Sequence, residues 1–370
     1  MHGIEKLKYT LHAKLLRCGW LLDLAYSLAF YVLGFMDLIS DRLAILNPVA
    51  PSDLKRIRPG FFLSSLRVDV TSVCNAKCTF CAYPKVVRDR TLSTAVMNMD
   101  VFRKAVMEFG RKGGRFLDLT PLVGEPLVDP GLFEKIHFAV HEAQIPHVGM
   151  NSNGILLDKN QNYKRLIDCG LAHVSISTQG TDRAIYRQVY GVDRYNILIS
   201  GLHKLLAYNN QMGEPVQIRI RFRNSQKPSE IIGADDFGKC IRPYLSPRVQ
   251  VSFTVRYGNW AGTITQTDIS DGMKLSKERP QINVPCANLF SWSILPGGHV
   301  RMCGCILKTT DIDDLVVGNV KAASIEQLSN SPRVTEILEG FYSGSRPQVC
   351  ERCTMYRPIT RSWFARVKHG

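Results

Sequence analysis

The chain has 370 residues, 45% hydrophobic and 21% charged, with a formal net charge of +15. That balance excludes a disordered chain, and the length accommodates one large α/β domain with extensions. The basic excess fits an anionic membrane or substrate; no Lys/Arg run or nucleic-acid module accompanies it, so no nucleic-acid partner is expected.

Residues 1–60 form a helical extension. Residues 18–36 are nearly all apolar or aromatic, with Trp20, Tyr26, Phe30, Tyr31 and Phe35 among them and Asp23 as the interruption. Lys6, Lys8, Lys14 and Arg17 precede the run, and Lys55, Arg56 and Arg58 follow a Pro-bearing linker. The apolar core starts too late for a secretory signal and lacks a small-residue cleavage site. Its length is borderline for a span, which takes about 20 apolar residues. Three readings stay open: a helix lying in a membrane interface through residues 18–46, a span, or a helix docked on the catalytic domain.

From residue 65, short alternating strands recur between helical stretches at 99–112, 132–142 and 195–208, the pattern of βα units on a parallel sheet. In 66–71, 216–223 and 249–256 the apolar residues face covering helices and the polar ones an interior. A complete (β/α)8 barrel fills its centre with apolar side chains. A polar, cationic inner face predicts an open, partial barrel instead. Arg219, Arg221 and Arg223 share one strand face, positioned either to bind an anionic group in a lumen or to face water on an edge strand.

Just after the first strand comes Cys74-Asn-Ala-Lys-Cys78-Thr-Phe-Cys81. Three close thiolates can hold three irons of a [4Fe–4S] cluster and leave the fourth open to a small molecule. A structural zinc site is the alternative, but it needs four ligands, and no histidine lies near the triplet. The spacing resembles that of the radical S-adenosylmethionine (radical SAM) superfamily, over roughly residues 64–358. The resemblance implies a (β/α)6 TIM-like partial barrel, with the open iron binding the amino and carboxylate groups of S-adenosylmethionine. It also implies cleavage of that cofactor to a 5′-deoxyadenosyl radical. Phe80 matches the aromatic residue near the cofactor adenine.

Further motifs follow in the order the resemblance implies. Gly124-Glu125-Pro126, after the strand at 116–120, resembles the family's Gly-Gly-Glu-Pro loop at the cofactor amino group, with Val123 replacing the first glycine. Asn151-Ser152-Asn153-Gly154 matches a third-strand turn, which a purely structural turn explains almost as well. Ser175 and Ser177 match a fourth-strand ribose segment, and a serine-capped strand end is the plain alternative. Arg219 and Arg221 complete the cofactor-binding candidates. Tyr257, Asn259 and Trp260, in a loop at the expected barrel mouth, are candidate substrate contacts, and Trp260 suits loop packing equally well.

The eleven cysteines are grouped, which favours metal over disulfides and predicts a reducing, cytoplasmic compartment, with peripheral membrane association if the interfacial reading of residues 18–46 holds. A second set comprises Cys286, Cys303, Cys305, Cys350 and Cys353. It resembles the SPASM/twitch extension of radical SAM enzymes. No cysteine follows Cys353, so the shorter twitch form with one auxiliary [4Fe–4S] cluster is expected, held by Cys286, Cys303, Cys350 and Cys353. Cys305 is a spare, and a zinc ribbon shares the C-x2-C pair. Isolated Cys18, Cys169 and Cys240 read as structural.

The expected organisation is an extension at 1–60, a barrel at 61–270 and a cluster domain at 271–370. The resemblance implies a dehydrogenase-type oxidoreductase on a small polar or glycan-like substrate, served by an electron donor such as a flavodoxin or ferredoxin. A substrate radical would lose one electron to the auxiliary cluster and one proton to a base. Asp69 and Tyr257 are the catalytic candidates, with Glu125 and His173 conceivable. The alternatives are a peptide-modifying maturase or a zinc- or iron–sulfur-binding structural or electron-transfer protein.

Overall fold

The computed structural model describes residues 16–55, 65–89, 94–223, 225–279, 282–304 and 313–363, the side chains of 54 and 55 excepted. Lys6, Lys8, Lys14, Arg56, Arg58, Cys305 and the Lys55 side chain lie outside the described residues.

Helix α1 (Gly19–Leu46) opens the described chain. Strand β1 (Ser65–Val68), helices α2 (Tyr83–Arg88) and α3 (Met99–Arg111), and strand β2 (Phe116–Asp118) follow. Then come α4 (Leu132–His137), β3 (His147–Ser152), α5 (Asn162–Asp168), β4 (His173–Thr178), α6 (Arg183–Tyr190) and α7 (Tyr195–Gln211). β5 (Gln217–Phe222), α8 (Pro228–Gly233) and β6 (Val249–Phe253) complete the βα series. The six strands are parallel and neighbours in sequence order.

Local signals set the helices. The Asn98 side chain accepts from the Asp100 N–H at 2.7 Å to start α3, and Val101, Phe102, Ala105, Val106 and Phe109 form its buried stripe. Asp182 starts α6 by accepting from the Ile185 N–H at 2.9 Å. α4 runs on through a π-turn to Glu142, so the segment expected at 132–142 is helical throughout.

The strand alternation holds in three dimensions. Leu66, Val68, Val174, Ile176, Ile218 and Ile220 are buried beneath the helices. On the other face, neighbouring strands set polar residues side by side: Asn151, Ser175, Arg219 and Gln250 in one row, Ser177, Arg221 and Ser252 in the next. That polar chamber belongs to a partial barrel, not to a filled one.

The C-terminal part does not form a sheet of its own. β7 (Trp292–Ile294) pairs parallel with β1, and β8 (His299–Arg301) and β9 (Val316–Asn319) extend the same nine-stranded sheet antiparallel. Helices α9 (Ile325–Ser329), α10 (Pro332–Ser343) and α11 (Gln348–Glu351) close the described chain.

Candidate active site and cluster-binding loops

The loop carrying Cys74, Cys78 and Cys81 is fastened at several points. The Lys77 and Thr79 N–H groups donate to the Tyr190 and Val189 carbonyls, both at 2.9 Å, which seats the loop on the end of α6. The Cys74 N–H donates to the Tyr83 hydroxyl at 3.0 Å, and the Tyr83 N–H to Cys81 Sγ at 3.5 Å. Burial pushes the Cys74 thiol up to about 12 and that of Cys81 to about 11, and raises Cys78 well above the ordinary range. Neighbouring charges add to this for Cys74 and Cys78. Unliganded thiolates are therefore disfavoured, and a metal that displaces the protons relieves the cost.

Glycine decides the adjoining loop. Gly124 adopts φ 137°, and a Cβ there would lie 2.5 Å from the Thr71 carbonyl oxygen. Glu125 follows, its N–H donating to the Val73 carbonyl at 2.9 Å. Its buried carboxylate accepts from the Ser152 hydroxyl at 2.6 Å, the Asn153 N–H at 2.7 Å and the Leu127 N–H at 3.1 Å. Burial pushes its carboxyl up to about 7, and these donors pull against that shift. Glu125 thus clamps the end of β3, with Pro126 opening the short turn Pro126–Val128. The third-strand turn joins in through Asn153, whose amide donates to Asn75 Oδ1 at 2.7 Å and lies 4.0 Å from Cys74 Sγ.

Phe80 is boxed by aromatic and cationic groups. Its ring lies 5.7 Å from Tyr190, 5.5 Å from Tyr257 and 5.7 Å from the Arg223 guanidinium. Arg223 also donates to the Ser177 hydroxyl at 3.2 Å, and the Tyr190 hydroxyl lies 3.2 Å from that same oxygen. Of Arg219, Arg221 and Arg223, the last, just past β5, is the one beside the cysteine loop, where its charge lowers the Cys78 and Cys81 thiols. Arg221 is half-buried, its pKa lowered by burial and then by its two arginine neighbours. Arg219 is exposed, next to Ser175 and within the field of His173. His173 folds across the chamber so closely that a Cβ on Gly149 would meet its ring at 2.0 Å.

The mouth loop after β6 is a tie between cluster loops. The Trp260 indole N–H donates to the Phe80 carbonyl at 2.8 Å. Asn259 donates to the Arg352 carbonyl at 2.7 Å, and its N–H donates to the Thr354 hydroxyl at 3.0 Å. Trp260 and Ala261 take left-handed φ of 50° and 54°, a strain the surrounding bonds hold in place. Asn259 and Trp260, candidate substrate contacts from their position in the sequence, therefore spend their polar groups on protein partners. Tyr257 is 5% exposed, and burial raises its hydroxyl well above the ordinary tyrosine range.

Asp69 differs from these. It is 3% exposed, accepts from the Leu122 N–H at 2.8 Å through Oδ2, and has no hydrogen-bond partner for Oδ1 among the described residues. Burial pushes its carboxyl up to about 7.

Cys286, Cys303 and the Cys350–Cys353 turn come from three separate places in the chain, and the cysteines feel one another's charge. Burial, then those neighbours, push Cys286 and Cys353 up to about 12. Cys303 sits at φ 73°, on a turn held from two sides. Arg301, fully buried and ion-paired with Asp313 at 2.7 Å, donates to the Cys303 carbonyl. Arg67 pairs with Asp118 at 3.0 Å and donates to the Gly304 carbonyl. Sequence alternation placed Arg67 on the inner face; nothing local marked Arg301 or Arg223 as supports.

Among the described residues, no group of three or more His, Cys, Asp or Glu side chains is placed to hold a single metal ion. Thiolate-only sets of three and four suit polynuclear iron–sulfur clusters, whose irons each take one cysteine. The donor chemistry fits an open cluster at the triplet and a closed one at the C-terminal set.

A partial parallel barrel with a three-cysteine loop after β1, extended by a four-cysteine region, defines a radical SAM enzyme with an auxiliary iron–sulfur domain. The chain carries a radical SAM superfamily domain, matched over residues 68–211, and a SPASM iron–sulfur cluster-binding domain, matched over residues 286–354. Its cofactors are iron–sulfur clusters and S-adenosylmethionine. The chain is similar to the GTP 3′,8-cyclase of Vibrio atlanticus, 25% identical over 162 residues, 44% of this chain and 47% of that protein. It thus spans about half the length of that relative. A probable GTP 3′,8-cyclase of Metallosphaera sedula is 26% identical over 304 residues, 77% of this chain and 92% of that one. Streptococcus suis SuiB bound to S-adenosylmethionine shares the fold, with a TM-score of 0.54 at 17% identity over 78% of this chain and 69% of SuiB.

Proposed function

We propose that this radical SAM enzyme is a dehydrogenase-type oxidoreductase acting on a small polar or glycan-like substrate that carries an anionic group. The observation that carries the reading is the closed set of four cysteines, Cys286, Cys303, Cys350 and Cys353. With all four irons taken by protein, an auxiliary cluster there exchanges electrons rather than binding substrate. When bound, S-adenosylmethionine at the Cys74, Cys78 and Cys81 cluster supplies the hydrogen-abstracting radical.

The chain's own residues divide the remaining work. Phe80, boxed by Tyr190 and Tyr257, offers an aromatic face for the adenine, and Gly124-Glu125-Pro126 shapes the loop at the amino group. Ser175 and Ser177 border the ribose. Arg221 and Arg219, on the same strand face, take the anionic group of the substrate through charge-assisted hydrogen bonds. Oxidising an alcohol carbon to a carbonyl removes one hydrogen atom, one further electron and one proton. Asp69, with a free oxygen and a carboxyl near neutrality, is the proton acceptor.

A second reading is a nucleotide substrate, favoured by the Metallosphaera relative, which matches over nearly its whole length. Anaerobically reconstituted protein should hold about eight irons per chain and form 5′-deoxyadenosine on reduction. Cys74→Ala should abolish that product, while Cys350→Ala should lower iron towards about four per chain and keep it. Zinc in place of iron, or cleavage that survives Cys74→Ala, would refute the cluster assignment. Conversion of GTP, or a carbonyl-free product, would replace the dehydrogenase reading.

A further inference from the structure

Helix α1 is amphipathic in an inverted sense. Asp23, Tyr26, Asp37 and Asp41 face the protein. Asp23 accepts from the Ser229 hydroxyl at 2.6 Å and N–H at 2.9 Å, and the Tyr26 hydroxyl donates to the Thr254 carbonyl at 2.8 Å. Asp37 pairs with Arg256 at 2.6 Å and with Arg279 at 3.1 Å, and Asp41 pairs with Arg279. Lys274 lies over the Phe30 ring at 5.2 Å. The opposite row, Trp20, Leu24, Leu28, Tyr31, Phe35 and Leu38, is exposed, from 50% at Leu24 to 72% at Tyr31. Only 6% of the helix's most apolar stretch is covered, so this is no core helix.

From this we infer that α1 is an in-plane membrane anchor, its outward row buried in the interface of an anionic phospholipid surface. Three observations select that occupant. The outward row is apolar and aromatic, the composition of interfacial helices. Its flanks are basic, with Lys6, Lys8, Lys14 and Arg17 before it, and Arg42, Lys55, Arg56 and Arg58 at and beyond its end. These cations complement anionic headgroups. The latches also fix the orientation. Asp23 and Asp41 are 18 residues apart, about 27 Å of helix at about 1.5 Å per residue. A helix held to the barrel over that length cannot cross a hydrocarbon layer of about 30 Å without dragging Arg256 and Arg279 into it.

The seat has a direction. Ser229, Thr254 and Arg256 follow β5 and β6, at the end of the barrel where Tyr257 meets Phe80. The lipid surface therefore lies alongside the mouth of the chamber.

The test uses the full-length, cluster-loaded protein. It should float with phosphatidylcholine vesicles that carry phosphatidylglycerol, and brominated lipid chains should quench Trp20 fluorescence, a signal that Trp20→Phe removes. Leu28→Glu with Phe35→Glu should lower flotation at least about tenfold, with iron content and 5′-deoxyadenosine formation unchanged. A protease added outside the vesicles should remove an N-terminal tag. No flotation, no quenching, flotation retained by the double variant, or a protected tag would each overturn the inference. So would a lipid-free dimer that the double variant dissociates, because a second copy would then cover the row. Deoxyadenosine formation reports separately on the catalytic assignment.

Discussion

Asp69 is the residue whose chemistry is most exposed to test. Burial raises its carboxyl to about 7, against the opposing pull of the Leu122 N–H and the Arg67 charge. In an unfolded chain an aspartate titrates near about 3.9. Between those values the folded protein holds a proton that the unfolded chain has lost. Asp69 therefore adds stability at acid pH that disappears as pH rises towards 7, and it adds no further slope above. Asp69→Asn should flatten that part of the dependence, read as anaerobic thermal unfolding from pH 5 to 8; curves that stay parallel would remove the assignment. The same variant should slow substrate oxidation without slowing 5′-deoxyadenosine formation. The cysteine triplet is legible in the sequence because its ligands are local, so spacing alone carries the chemistry. Arg223 and Arg301 are not legible in this way. Their roles come from strand register and a turn at Cys303, and no local pattern separates Arg223 from Arg219 or Arg221.

At the scale of elements, alternation carries most of the information. Period-two patterning places the arginines of β5 on the chamber face, and pairing then lines up Ser175 with Arg219 and Ser177 with Arg221. The loop after β6 resists such reading, because its partners lie far away in the chain. Trp260 bonds 180 residues back to Phe80, and Asn259 bonds 93 residues ahead to Arg352. The loop so joined is strained at Trp260 and Ala261, and it braces the first cysteine loop and the Cys350–Cys353 turn together. Trp260→Phe keeps an aromatic ring and removes one N–H donor, at a net cost of about 1 kcal/mol. The expected outcome is faster iron loss to a chelator from the triplet site. Asn259→Ala should speed loss from the C-terminal site instead. Equal, unchanged rates in both variants would mean that the loop braces neither cluster.

On the scale of the whole molecule, one sheet joins both cluster regions and α1 is fastened to the segments that follow β5 and β6. The sequence shows an apolar run at residues 18–36 inside the segment 18–46, and nothing in it marks Asp37 and Asp41 as latches. The helix runs to Leu46, in line with that segment, and the two carboxylates point at Arg256 and Arg279 rather than at water. Arg279 and Asp41 are each 8% exposed at their side chains, and Arg279 also donates to the Tyr356 carbonyl at 2.8 Å. Removing one partner from such a pair leaves the other charge buried and costs about 3 kcal/mol, whereas replacing both sides with apolar groups costs far less. Arg279→Ala should therefore lower the unfolding temperature and make α1 accessible to protease, while the barrel keeps its clusters. Arg279→Met combined with Asp41→Leu should recover much of that loss, because Asp37 keeps Arg256 as its partner. If the latch rather than α1 alone sets the in-plane orientation, Arg279→Ala should still float with anionic vesicles, but its barrel should be released from them by a protease that cuts the chain between α1 and β1. The wild-type barrel, held by the latch after the same cut, should remain bound.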